Sequence, residues 1–256
     1  MDRSLSIEFQ TTTADDEQQK QSFLEILKNT AFNITEKILV RIDYGQVTIL
    51  DQAENKIRLN FNEDLDYRRI LKSKNSELIS RAVGAGKLGT HILDLTAGLG
   101  VDGISLVRLG YTVTSLERNP LVYMGLQAAY AKWTSDLKTN YRVVFADCAA
   151  IVRQLKSGIF LFPDQNLYQV AYFDPMFPQK KKSALPRQEM VLLQKLTFED
   201  PDGIQIMTQL IQSGFFKRLV VKRPLNAETV LKPSSQLKGK LIRYDIYNQT
   251  SNTQPV

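Results

Sequence analysis

From His91 onward, short continuous apolar runs alternate with longer amphipathic stretches. HILDL precedes VDGISLVRLG, TVTSLE precedes NPLVYMGLQAAYAKW, and YRVVFAD precedes CAAIVRQLK; QVAYF, RLVVKRP and LIRYDIY follow. Unbroken apolar runs separated by helix-length segments are the pattern of βαβ units around a parallel sheet buried on both faces. The last run, Leu241 to Tyr247, alternates apolar and polar residues, which predicts an antiparallel strand at a sheet edge. Upstream, Ile38 to Phe61 also alternates, with Gly45 as a turn signal, and predicts antiparallel strands exposed on one face. Residues 11–22 (TTTADDEQQKQS) are polar without a period and read as a loop or a frayed helix start. Tyr67 to Lys87 holds six basic residues and one acid, with Leu71, Leu78, Ile79 and Val83 at helical spacing. The pattern thus predicts a small N-terminal α+β lobe over 1–66, a basic helical connector over 67–90, and an α/β domain with a Rossmann-like, mostly parallel sheet over 91–256.

Composition narrows the chemistry. The 256 residues include one cysteine, Cys148, and one histidine, His91. An internal disulfide, a multi-His metal site and a Cys/His zinc cluster are therefore excluded, and no metal is expected. No window reaches the roughly 18 apolar residues of a membrane helix, and MDRSLSIEFQ lacks the apolar stretch of a signal peptide, so a cytoplasmic location is expected. The net charge of +6 hides an asymmetry. Residues 1–66 carry 7 Lys/Arg against 13 Asp/Glu, while 67–256 carry 26 against 14. A domain that basic suits a polyanionic partner, although surplus lysine also serves solubility.

Ligands of open α/β sheets sit beyond the carboxyl ends of the strands. The first of these strands ends in Asp94-Leu95-Thr96-Ala97-Gly98-Leu99-Gly100, where Gly98 and Gly100 permit a tight turn and close approach of a ligand. Glycines at strand–helix turns are also commonly structural. The second strand ends in Glu117, on the order of twenty residues beyond the turn, where an acid hydrogen-bonds ribose hydroxyls. A dinucleotide and S-adenosylmethionine both fit that pair. The third glycine of a dinucleotide loop falls one place late, at Gly103, and Asp94 crowds a pyrophosphate while suiting a ligand with a sulfonium and an ammonium. After the third strand, Asp147 could meet an adenine amino group or simply cap the next helix.

The fourth strand ends in Asp174-Pro175-Met176-Phe177-Pro178. A proline-rich turn is common, but it explains neither the acid nor the aromatic nor the lysines that follow. A nucleobase amine is a poor nucleophile because its lone pair is delocalised into the ring. A carboxylate (Asp174) and a backbone carbonyl (Pro175) that accept its N–H bonds orient it and enrich its nitrogen. Phe177 is placed to stack on a base, worth about 1–3 kcal/mol. Lys180, Lys181, Lys182 and Arg187 follow, and Lys222 and Arg223 end the fifth strand; these six are candidate phosphate contacts. No metal or covalent intermediate is needed.

The strings DLTAGLGVDGISLVRLGYTVTSLERNP, YFDPMFPQKKKSAL, VVKRP and RYDIY resemble the RsmJ family over about residues 80–247. Those bacterial enzymes methylate the exocyclic N2 of a guanine in small-subunit ribosomal RNA with S-adenosylmethionine. The resemblance implies a class I S-adenosylmethionine-dependent methyltransferase fold, with small-subunit ribosomal RNA or the assembled 30S subunit as partner. It further implies cofactor contacts at Val101, Asp102, Glu117, Arg118, Asp147, Cys148 and Asp174. The family usually has arginine where this chain has Val101, which leaves the backbone for that contact. It also usually carries His-Arg-Arg followed by a glycine-rich run, where this chain reads Tyr67-Arg68-Arg69-Ile70-Leu71-Lys72-Ser73-Lys74, with the arginines kept and the glycines gone.

Two rivals stay open on the sequence. A methyltransferase acting on protein glutamine would use the same acceptor geometry without the lysines, and a non-catalytic RNA-binding or ribosome-assembly module would keep the fold without binding cofactor. A nicotinamide-dependent dehydrogenase ranks last, because no proton donor accompanies the glycine turn and Asp94 opposes a pyrophosphate.

Overall fold

The computed structural model describes residues 7–30, 37–62, 74–157, 168–175, 188–197 and 203–249. Two compact units emerge, and each has its own sheet.

The first unit is built on β1 (Ile7–Thr11), β2 (Ile38–Asp43), β3 (Gln46–Leu50) and β4 (Lys56–Arg58), in that spatial order. β2, β3 and β4 are antiparallel, as their alternation predicts, and β1 adds in parallel to β2. Of the two readings of the polar stretch after β1, the helix start holds and the loop does not: it opens α1 (Ala14–Lys28). Its start is a capping box in which Thr13 and Asp16 satisfy each other's backbone amides, so local hydrogen bonding outweighs the missing apolar period. Asp16 is buried and also accepts from the Tyr44 and Gly45 amides, which ties the β2–β3 turn to the helix.

Two later segments join this unit. Helix α4 (Pro120–Lys132) starts at the Asn119 cap with proline in its first turn and packs on β3. Its Gly125 brings the backbone close, for an added Cβ would lie 3.6 Å from Leu59 Cδ1 and 3.8 Å from Ile49 Cδ1. Helix α6 (Gln188–Thr197) packs on β4, and its Lys195 meets the fully buried Asp51 carboxylate at 2.7 Å. The sequence pattern alone places both helices in the α/β domain.

The second unit holds a seven-stranded sheet in the order β10-β11-β9-β8-β5-β6-β7. The strands are β5 (His91–Asp94), β6 (Thr112–Glu117), β7 (Tyr141–Phe145), β8 (Val170–Phe173), β9 (Arg218–Pro224), β10 (Ser235–Lys238) and β11 (Ile242–Asn248). Strands β5 to β9 are mutually parallel, as expected of their apolar runs. The connector region contains helix α2 (Lys74–Ala82). Helices α5 (Cys148–Ser157) and α7 (Gly203–Ser213) cover one face, over a core that includes Leu93, Leu116, Phe173 and Met207.

β11 is antiparallel, as predicted, but it does not lie at the edge. It sits between β9 and β10, and Ser235–Lys238 is the outermost strand. The polar positions that suggested a wet face pair with each other instead. Arg243 and Asp245, two residues apart and so on one face, meet through Nε–Oδ1 at 2.9 Å and Nη2–Oδ2 at 3.1 Å, both buried. Three further carbonyls, of Pro224, Leu225 and Ala227, accept from Arg243 Nη1. Among the described residues no helix is long and apolar enough to cross a membrane.

Candidate active site

The carboxyl ends of β5, β6, β8 and β9 gather the site within the second unit. After β5 the chain turns through Gly98 (φ 52°) and Gly100 (φ 78°) into helix α3 (Val101–Arg108). These left-handed conformations strain any residue with a Cβ, which accounts for both glycines. Space around Gly98 is open, since an added Cβ meets nothing within 4 Å. The turn is fastened twice to the end of β6. The Ala97 amide donates to the Leu116 carbonyl at 2.8 Å, and the Gly98 amide donates to Glu117 Oε2 at 2.9 Å. Gly103 serves packing of the helix, for a Cβ there would stand 2.8 Å from Ser115 Oγ and 3.0 Å from Tyr141 Cε2.

Asp94 is 1% exposed. Its Oδ1 accepts the Thr96 amide at 3.1 Å and its Oδ2 accepts the Ser115 hydroxyl at 2.7 Å. Burial, with the nearby Asp102 and Asp174 carboxylates, pushes its acid up to about 7 against those two hydrogen bonds. Asp94 thus braces the turn from within, through the Thr96 amide.

Thr96 links the two ends of the site. Its amide holds Asp94, and its hydroxyl accepts the backbone amide of Asp174 at 2.7 Å. Asp174 follows β8 directly, and Pro175 is buried beside it. In the parallel register Phe173 lies opposite Val221, so Asp174 falls beside Lys222. Lys222 Nζ is 2.9 Å from Asp174 Oδ2 and 2.6 Å from Asp102 Oδ2. The Tyr172 hydroxyl donates to the same Asp102 oxygen at 2.7 Å. Burial pulls the Lys222 ammonium down, but the Asp174 and Asp102 carboxylates together outweigh it and hold the proton more tightly than usual. Asp174 is pushed up by burial and by Asp102, against the pull of Lys222.

The remaining sequence-selected residues take varied positions. Val101 opens α3 and is 61% exposed, and Arg118 follows β6 directly. Asp147 precedes α5, and its Oδ1 accepts the Ala149 amide at 2.9 Å, the arrangement of a helix cap. Cys148 is buried in the core. Lys222 and Arg223, selected for phosphates, have partners inside the protein: Lys222 the two carboxylates, and Arg223, 6% exposed, the Glu228 carbonyl at 2.9 Å. Phe177, Lys180, Lys181, Lys182 and Arg187 lie outside the described residues. Sequence reasoning overlooked Thr96, Ser115 and Tyr172. Strand register carried the signal for Ser115, which is the cross-strand partner of Asp94.

Four carboxylates at adjoining strand ends, with an open glycine turn between them, suit a ligand that carries positive charge and ribose hydroxyls. They fit S-adenosylmethionine better than a pyrophosphate.

Comparisons with known proteins agree with that chemistry. A family model described as that of a SAM-dependent methyltransferase matches residues 25–249. A protein of Bdellovibrio bacteriovorus named ribosomal RNA small subunit methyltransferase J is 37% identical over 203 residues, covering 78% of this chain and 77% of that protein. A protein of the same name from Francisella tularensis subsp. novicida is 35% identical over 203 residues, covering 78% of this chain and 83% of its own length. The crystal structure of a SAM-dependent methyltransferase from Neisseria gonorrhoeae superposes with a TM-score of 0.66 at 22% identity, covering 96% of this chain and 97% of that one, and so shares the fold. With the glycine turn, the acid after β6 and the Asp-Pro corner after β8 all at one end of the sheet, the chain belongs to the family of SAM-dependent methyltransferases that includes ribosomal RNA small subunit methyltransferase J.

Proposed function

We propose that the chain methylates the exocyclic N2 of a guanine in small-subunit ribosomal RNA, acting in the cytoplasm on the free RNA or the 30S subunit. The observation that carries this reading is the placement of Asp174. Its amide is tied to Thr96 in the cofactor turn and its carboxylate stands at the end of β8, so a nitrogen acceptor and the glycine turn share one hydrogen-bonded frame. The names of the relatives and the downstream lysines supply the substrate class.

S-adenosylmethionine, when bound, supplies an electrophilic methyl carbon on a sulfonium. Glu117, already anchored on Gly98, holds ribose hydroxyls, and the backbone at Val101 and Asp102 borders the methionine end. Asp147 and Cys148 border the adenine. Asp174 and the Pro175 carbonyl accept the two N–H bonds of the guanine amine and aim its lone pair. Phe177 stacks on the base, while Lys180, Lys181, Lys182 and Arg187 meet phosphates. In the transfer the amine nitrogen would gain a bond to the methyl carbon as that carbon's bond to sulfur breaks, the electron pair remaining on a neutral thioether, and the nitrogen would give up one proton to solvent.

The test is methyl transfer from labelled S-adenosylmethionine to small-subunit RNA and to 30S subunits, with mass-spectrometric mapping of the product. The wild-type chain should yield an N2-methylguanine, and Asp174→Ala should lose transfer while keeping its fold and most RNA affinity. Near-normal turnover of that variant, or a methyl group on another atom, would overturn the reading.

A further inference from the structure

Lys222 stands at the centre of a hydrogen-bonded chain that runs through three elements. Tyr172 on β8 donates to Asp102 on α3, and the same Asp102 oxygen meets Lys222 on β9, which in turn meets Asp174 after β8. The side chains of Lys222 and Asp102 are 22% and 24% exposed, so solvent screens this contact only in part. We infer that Lys222 is a positioning residue of the transfer step, one that pins Oδ2 of Asp174 and holds the group as a carboxylate, leaving Oδ1 to receive the amine. The inference rests on the role proposed above for Asp174.

Three observations carry it. First, Asp174 has two anchors on different elements, its amide on Thr96 in the turn after β5 and Oδ2 on Lys222 of β9, which together restrict the carboxylate to one orientation. Second, the charged surroundings are otherwise unfavourable. Asp102 on α3 and Asp94 on β5 face Asp174 with like charge, and the Tyr172 and Tyr244 hydroxyls approach from β8 and β11. Clustered carboxylates retain protons, and a protonated Asp174 would donate where the amine needs an acceptor. The ammonium offsets that repulsion. Third, a single nitrogen lies within 3 Å of both carboxylates, which a compact ammonium achieves and a planar guanidinium does not reproduce as closely. Register supports the same picture: Asp174, Lys222 and Tyr244 fall on one face of three adjacent strands.

The test follows the Asp174 carboxyl directly. In 13C-aspartate-labelled protein its signal is identified by its loss in Asp174→Asn, and its shift is titrated with pH in the wild type, Lys222→Met, Lys222→Gln and Lys222→Arg. Removing the charge should raise the midpoint by about one pH unit or more, with Arg restoring most of the difference. The acid limb of kcat for methyl transfer should move upward by the same amount, with KM for RNA within about twofold of wild type. Lys222→Gln, which keeps a donor to Asp102 without charge, decides the matter if the Met variant fails to fold. An unchanged Asp174 midpoint in a folded, uncharged variant would overturn the inference, as would a rise in KM and a loss of salt dependence with the pH profile intact, which marks a phosphate contact. Activity in Asp174→Ala would instead remove the proposed role of Asp174. An inactive Asp174→Ala beside a Lys222→Met variant of wild-type midpoint removes the role of Lys222 alone.

Discussion

The Glu117 carboxylate accepts the Gly98 amide at 2.9 Å, so the acid at the end of β6 and the glycine turn after β5 form one structural unit. Either feature alone is weak as a cofactor signal. Joined, they place an anionic acceptor against an open stretch of backbone.

Glu117→Ala should therefore damage two properties at once. The loss of a charge-assisted, part-buried hydrogen bond that fastens the turn costs about 1.5–3 kcal/mol of stability. Affinity for S-adenosylmethionine should fall by at least about tenfold, near 1.4 kcal/mol. Calorimetric titration and urea denaturation measure the two, and cofactor affinity equal to wild type would place the ribose elsewhere.

Asp94 makes stability depend on pH in an unusual direction. Its folded acid constant near 7 lies above the ordinary 3.8, so the folded state binds the proton more tightly than the unfolded chain. That contribution is fully present below about pH 4 and is lost as pH rises through about 7, on the order of 4 kcal/mol in all. Asp94→Asn does not titrate, so its stability should fall less than wild type between pH 4.5 and 8. Parallel pH profiles of the urea midpoint would contradict the buried setting of this carboxylate.

Gly103 tests the packing of α3 on the sheet. A methyl group there would press within 3.0 Å of Ser115 Oγ and Tyr141 Cε2. Gly103→Ala should thus destabilise the protein by about 1–3 kcal/mol despite the better helix propensity of alanine. A thermal melt at or above the wild-type midpoint would show that the helix shifts without cost.

The phosphate contacts proposed for the three lysines after the Asp-Pro corner have a direct test. Replacing Lys180, Lys181 and Lys182 by glutamine should weaken RNA binding and lower the slope of log K against log salt by about 2–3. Filter binding at several salt concentrations reads this, and an unchanged slope would place the RNA on another surface.

Much of the second unit was legible in the sequence because its periods are strong. The apolar runs of β5 to β9 predict buried parallel strands, and the run-ending residues Asp94, Glu117 and Asp174 all lie at the sheet's carboxyl end. Where the period misled, polar residues had found partners far from solvent. Arg243 and Asp245 alternate like a wet edge strand, yet they neutralise each other inside the sheet. The helix at Ala14 was hidden for a related reason, since its start is specified by a cap rather than by an apolar stripe.

Sequence by itself determined the buried strands β5 to β9, the glycine turn and the acids that end the strands, because periodicity and turn chemistry are local properties of neighbouring residues. Only the tertiary structure decided which of these groups meet. The lysine at position 222 looks like a surface cation in the chain KRP, but parallel pairing of β8 with β9 sets it beside Asp174, while α3 brings Asp102 to it from over 100 residues away. Charges act through space, and strand order rather than chain order sets the distances over which they act.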